Sequence, residues 1–316
     1  MNNKAKLSIL AAAALGLIAV FMVIQAGGNW DYVLPRRATK VLAILLTAIA
    51  IAFSTMVFQT LTNNRILTPS ILGLDSLYML LQTVVVFALG SQALTSMSKH
   101  LHFGLSVAGM VLFSLVLYRI VFKREGRNLY FLLLVGIIFG TLFQSISSFM
   151  QVLIDPNEYL IVQDKMFASF NNVNKDLLAI SIVLMILIGL YCAKYMKYLD
   201  VLSLGREHAV NLGIDYDAVV KRLLIVVAIL VSIATALVGP ITFLGLLVAN
   251  VAHELLRTYR HRVLITGSIL ISVIALIGGL LLVERVFTFT TTISVIINLI
   301  GGVYFIYLLL KENKSW

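Results

Sequence analysis

The sequence predicts an all-α polytopic membrane protein of about ten transmembrane helices. Three observations carry that fold class. Of the 316 residues, 60% are hydrophobic and only 12% are charged, and the mean hydropathy is +1.01, well above the balance of a soluble domain. Apolar runs of about 20 residues recur along the chain, the length a helix needs to cross about 30 Å of hydrocarbon. The net charge of +10 then reads as a topology signal, because Lys and Arg collect on the cytoplasmic side. Nucleic acid is not implied.

The first span is Leu7 to Ala26, preceded by Lys4 and Lys6. The run is too long for a signal peptide and has no small-x-small cleavage site before Asp31, so a retained helix is expected. Spans follow at about Ala38 to Leu61, Ile66 to Gly90, Leu101 to Tyr118, Asn128 to Leu153 and Leu177 to Tyr195. No charge occurs from Leu223 to Ala252, a stretch longer than one crossing requires. Gly239-Pro240 breaks it in two, since Pro removes a backbone donor and Gly frees the turn. Val263 to Val283 and Thr290 to Leu310 complete ten. With the N-terminus inside, ten spans place 17 Lys and Arg inside and 7 outside. Treating Leu223 to Ala252 as one span would give 13 and 11, so the positive-inside rule favours ten. No internal repeat or separate soluble domain is visible, and residues 1–316 read as one transmembrane domain.

Between the two apolar halves lies a polar island, Ser203 to Arg222, within a cytoplasmic loop at about 200–222. Leu204, Ala209, Leu212 and Ile214 give it a small apolar face. Gly205 and Gly213 bracket a short helix, with Gly213 placed as its C-terminal stop. That is either a solvated loop or an amphipathic docking element. At the other side Arg36, Arg37, Lys40 and Arg285 stand where the charge rule disfavours them. They either snorkel to headgroups or form a basic rim for an acidic partner, which guanidinium groups would meet through two-pronged pairing.

Polar stripes run along two spans: Thr141, Gln144, Ser148 and Gln151 at i, i+3, i+7 and i+10 on the fifth, and Thr55, Gln59 and Thr62 on the second. Such stripes face protein or a wet cavity, so helix-to-helix hydrogen bonding and the lining of a path both fit. Gly136 and Gly140, spaced GxxxG, suit close packing. Cys192, the one cysteine, fits a small buried apolar role. No enzyme signal holds: His253-Glu254-Leu255-Leu256-Arg257 lacks the second histidine of a zinc HExxH, His100 and His102 sit at a membrane edge, and no GxxxxGK[ST] cradles nucleotide phosphates. No catalytic residue and no metal site is expected. An ion-coupled secondary transporter would need an intramembrane acidic group, and Asp75 and Glu254 fall near the ends of their spans.

Leu34-Pro35-Arg36, Gln59 with Asn64, Pro69 and Leu72-Gly73, Leu204-Gly205 with Ala209 and Leu212-Gly213, Gly239-Pro240-Ile241 with Phe243 and Gly245-Leu246, and Gly301 with Phe305 occur in a specific order. In that order they resemble the permease subunits of the iron-siderophore and vitamin B12 class of ABC importers, the FecCD/BtuC type. The resemblance implies a BtuC-like type II ABC importer permease in the inner (cytoplasmic) membrane. It further implies that Leu204, Gly205, Arg206, Glu207, Ala209, Leu212 and Gly213 couple to an ATPase subunit. Arg36, Arg37 and, less securely aligned, Arg285 would meet acidic residues of a substrate-binding protein. The implied partners are a second permease chain, two ATPase subunits that use ATP and Mg, and a periplasmic or lipid-anchored siderophore-binding protein. The chain itself would bind no cofactor.

Three departures stand out: Asn64-Arg65-Ile66-Leu67 for the usual Asn-Pro-Leu-Ala, Ala249-Asn250 for Pro-His, and Thr291-Thr292 for Leu-Pro. They resemble the branch that imports ferric catecholate siderophores of the petrobactin, anguibactin and vibriobactin kinds, which generally pairs two different permease chains. A corrinoid or haem cargo is the alternative within the family.

Overall fold

The computed structural model describes residues 2–24, 30–90, 97–121, 129–289 and 291–312. Ala26, Asn128 and Thr290, expected edges of three spans, lie outside the described residues, as do Lys123, Arg124, Arg127 and Lys314. The helices are α1 (Asn3–Val23), α2 (Trp30–Thr62), α3 (Leu74–Leu89), α4 (Lys99–Val121), α5 (Leu129–Leu153), α6 (Pro156–Lys165), α7 (Lys175–Ala193), α8 (Met196–Leu202), α9 (Arg206–Asn211), α10 (Tyr216–Val238), α11 (Leu244–Leu256), α12 (His261–Arg285) and α13 (Ile293–Glu312), with a 3-10 turn at Pro69–Leu72. Eight of those described are long and apolar enough to cross a membrane, and α3 and α11 are shorter apolar helices.

The bundle is built around α2, which packs against α10, α11 and α12. Ala43, Ala48, Ala50, Ala52 and Ser54 are fully buried on it, and such small side chains let neighbouring helices approach closely without a water-driven hydrophobic effect between them. In α2 and α10, 72% of the most apolar stretch is buried, against 11% in α1 and 17% in α5 and α7. The former make the centre and the latter the lipid-facing or partner-facing periphery. At 33 residues, α2 extends about 50 Å, longer than a bilayer core. Its first turns, which carry Arg36, Arg37 and Lys40, therefore project from the outer end rather than preceding the helix as expected.

Two interruptions break the apolar runs, and one of them makes a span shorter than expected. The third span, expected from Ile66, begins only at Leu74, because the chain first makes the 3-10 turn at Pro69–Leu72 and then passes through Gly73 at φ +81°. That turn rests on Gly136 and Gly140: a Cβ on Gly73 would lie 2.9 Å from the Cα of Gly140, and one on Gly136 would lie 2.9 Å from the Cα of Leu72. Gly136 and Gly140 are near the middle of α5, so the turn sits deep in the bilayer. The second interruption is the expected one. α10 stops at Val238, Gly239 takes φ +99°, and α11 resumes at Leu244. Non-helical backbone at this depth must be satisfied by protein. The amide of Ser169 donates to Val238 O at 2.7 Å, and Ser294 accepts from the Ala168 amide at 2.7 Å.

Candidate path and docking surfaces

The two broken segments face each other across a cavity of about 440 Å³ lined by Thr68, Ser70, Asp75, Gln144, Thr242 and Phe305, among others. Thr242 donates to Asp75 at 3.5 Å. Asp75 falls in the first turn of its helix, as expected, but because α3 starts beside the middle of α5 that turn sits deep in the bundle rather than at a membrane edge. Discontinuous helices at this depth mark binding regions in transporters, and the hydroxyls of Thr68, Ser70, Ser76 and Thr242 line the cavity with Asp75.

The α5 stripe divides. Thr141, Gln144 and Ser148 are exposed, with Ser145 beside them. Thr141 donates to its own helix at Ile137 O, and Gln144 lines the cavity. Gln151 instead bonds sideways, its Nε2 donating to Thr83 at 3.2 Å and to Ser147 at 2.9 Å. On α2, Thr55 and Gln59 are 1% and 3% exposed. Thr55 packs against Gly245, and Gln59 donates to the Arg65 carbonyl. The structure places these two inside the helix packing, and Thr62 likewise bonds back to Phe58 O. Sequence periodicity finds a polar stripe but not which neighbour it meets.

At the outer end, Arg36, Arg37, Lys40, Lys99, Lys175 and Arg285 line a depression of about 1050 Å³ with Glu284. Lys40 pairs with Glu284 at 2.8 Å. Arg37 donates to Phe21 O at 2.9 Å and Met22 O at 3.0 Å, and Arg285 donates to Ile24 O at 3.3 Å. These carbonyls end α1, where a helix lacks donors and favours cations. Arg36 lies over the Tyr32 ring at 4.5 Å and is exposed. Of the arginines that look misplaced in the charge count, Arg37 and Arg285 thus have one structural duty already, capping α1.

At the inner end, α9 is closed by a paired turn: Ile214 N donates to Ala209 O and Gly213 N to Val210 O, with Gly213 at φ +80°. This is the Schellman geometry that the Gly213 stop implies. Leu204 and Leu212 are 57% and 64% exposed, and Val210 is exposed beside them. Arg206 and Glu207 are also on the surface, Arg206 in a solvent-exposed pair with Asp217 at 3.2 Å. Ala209, expected on the apolar docking face, is fully buried and anchors the helix from below. Gly205 starts the helix at φ +94°.

A contact the sequence reading missed joins two of its own departures. Asn250 Nδ2 donates to the Arg65 carbonyl at 2.9 Å, so the unusual residues at 64–65 and at 249–250 meet. They lie 185 positions apart, and only the fold shows it. Cys192 is buried, as expected, and no group of three metal-ligating side chains occurs among the described residues.

Residues 5–311 match the FecCD transport family. The petrobactin import system permease protein YclO of Bacillus subtilis is 66% identical over 316 residues, covering 100% of both chains. FatC, a petrobactin import system permease protein of Bacillus anthracis, is 38% identical over 281 residues, 89% of this chain and 79% of that one. A second petrobactin import system permease protein of the same B. subtilis strain, YclN, is 25% identical over 288 residues, 88% of this chain and 85% of that one. The fold matches a solved structure described as a metal-chelate type ABC transporter in an inward-facing conformation, with a TM-score of 0.83 at 22% identity, covering 98% of this chain and all of that one.

Proposed function

Because the chain belongs to the FecCD transport family, we propose that it is one of two permease subunits of an ATP-driven importer that carries a ferric siderophore of the petrobactin type across the cytoplasmic membrane. The observation that carries the reading is full-length identity of 66% to a petrobactin import permease. The fold supports it, since a multi-pass helical bundle with a mid-membrane break and a docking-shaped inner helix has the parts such a subunit needs.

A loaded binding protein approaches the outer basic depression, where Arg36 offers its exposed guanidinium and Arg37 and Arg285 contribute charge while holding α1. Its carboxylates pair there, with salt-sensitive steering. The exposed Leu204, Val210 and Leu212 seat on a partner ATPase. ATP binding does work only if the closed ATPase pair fits one permease conformation better than the other. The cargo then passes along Thr141, Gln144 and Ser148 and the Asp75 cavity, whose hydroxyl and amide groups around the one carboxyl give weak, repeated contacts. An exposed polar face on α5 is costly against lipid, so a second permease chain covers it or shares a wet path with it. That one B. subtilis strain has two petrobactin import system permease proteins, YclO and YclN, argues for a paralogue in that place.

The test is radio-iron uptake from a panel of ferric siderophores in iron-limited cells with and without the gene. Loss confined to catecholate-bearing siderophores such as petrobactin, restored by the gene, is expected. Loss confined to a corrinoid or haem, with siderophore uptake intact, would overturn the cargo.

A further inference from the structure

Resting on the importer reading above, we infer that Asp200, His261 and Thr60 form the joint through which the inner docking segment moves the membrane helices. Asp200 lies on α8, the seven-residue helix immediately before α9. Its Oδ1 accepts from the backbone amide of His261 at 2.8 Å and from His261 Nδ1 at 2.6 Å. The first bond caps α12 at its opening residue, where the helix leaves its amides unfilled and its dipole favours a negative charge. The second grips the ring.

The other ring nitrogen, Nε2, is 2.8 Å from Thr60 Oγ1 in the last turn of α2. Thr60 Oγ1 also lies 2.8 Å from Met56 O, the usual outlet for a helical threonine, so the hydroxyl ties the ring to the backbone of α2. The ring is thus held from both sides, with the histidine 6% and the aspartate 43% exposed. Arg65 of the 63–66 turn lines the same inner cavity of about 330 Å³, and Arg260 and Arg262 flank His261 in sequence, so the Asp200 carboxyl sits among basic neighbours.

The placement gives the cluster its role. α8 packs against α2 and α12, and Leu199 and Leu202 fasten it by apolar burial. Apolar contacts resist separation but permit sliding, whereas the two-sided bond of His261 fixes α8 in register with both helices. A displacement of α9 therefore reaches the central helix of the bundle and its neighbour together. Among its members only Asp200 falls in the loop that the sequence marks for coupling, and the three lie 61 and 201 positions apart.

The experiment uses the complete importer in proteoliposomes and reads petrobactin-bound radio-iron moved per ATP hydrolysed. Asp200→Asn and His261→Gln should each lower that ratio about tenfold, the scale of one hydrogen bond, while ATP hydrolysis stays at the wild-type rate and the Tm in detergent falls by no more than the loss of one helix cap. The double variant should be no worse than either single one. Thr60→Ser should keep the wild-type ratio and Thr60→Val should lose part of it; this pair carries the test if the charged-site variants are degraded. Unchanged ratios in a working importer would overturn the joint alone, as would additive effects in the double variant. A wild-type complex that moves no siderophore iron would overturn the importer reading and the joint with it.

Discussion

Arg36 and Arg37 are adjacent and chemically identical, yet they are held in opposite ways. Arg37 is committed to the last carbonyls of α1, while Arg36 rests on Tyr32 with its head in solvent. Arg37→Ala should therefore destabilise the chain by about 1–2 kcal/mol, the range for a partly buried cation bonded at a helix end, read as a lower Tm in detergent with no binding protein present. Arg36→Glu should leave Tm unchanged and weaken binding-protein docking in a salt-dependent manner. Docking unaffected by Arg36→Glu at low salt would remove that residue from the contact. Gly73 poses a backbone question instead. At φ +81° an L side chain costs about 1–2 kcal/mol, and its Cβ would also meet the Cα of Gly140 at 2.9 Å. Gly73→Ala should lower the Tm and the amount of inserted protein, and normal levels of both would contradict the tight turn. The Leu72-Gly73 and GxxxG patterns are each readable in the sequence. Their meeting is not, because nothing in either pattern says which glycine faces which.

The breaks in α3 and α11 matter more than the full-length helices, since they open the mid-membrane cavity. The Gly239-Pro240 break is legible because Pro and Gly act locally on the backbone. The late start of α3 is signalled only by Pro69 and Gly73, because hydropathy cannot distinguish a 3-10 turn buried against glycines from the first turn of a helix. For the same reason Asp75 looks peripheral in the sequence and is central in the fold. The α5 stripe has a related ambiguity: periodicity groups Gln151 with Gln144, but Gln151 meets Thr83 and Ser147 of the packed side while Gln144 faces the cavity. The inner turn at 63–66 is held by Gln59 and Asn250, both donating to Arg65 O. Asn250→Ala should cost about 1 kcal/mol, read in Tm. Asn250→His, which restores the more common family residue and keeps a donor, should cost less; equal losses would mean that the bond to Arg65 does not matter. On α9, Leu212→Glu should leave insertion intact and abolish stimulation of ATP hydrolysis by loaded binding protein. Retained stimulation would displace the docking surface from this helix.

Across the whole molecule, the proposed function draws on three levels of one bundle: a basic depression at one end, a polar cavity between broken helices, and an exposed apolar segment at the other end. None is complete alone. The outer depression has excess positive charge, the exposed polar face of α5 needs a wet or protein neighbour, and the inner helix shows leucines to water. The apolar helices, eight of the described ones long enough to cross and two shorter, follow from apolar run length, which depends only on local sequence. Tertiary ties such as Asp200 to His261 and Asn250 to Arg65 depend on residues far apart in the chain and emerge only with the fold. The central claim is that this chain moves cargo only as part of an ATP-driven pair. The most direct measurement is uptake of radio-iron petrobactin into proteoliposomes containing this chain, with its paralogue, the ATPase and the binding protein added or omitted in turn. Uptake that requires all four and ATP is the predicted result. Uptake by this chain alone, or uptake driven by a proton gradient without ATP, would contradict it.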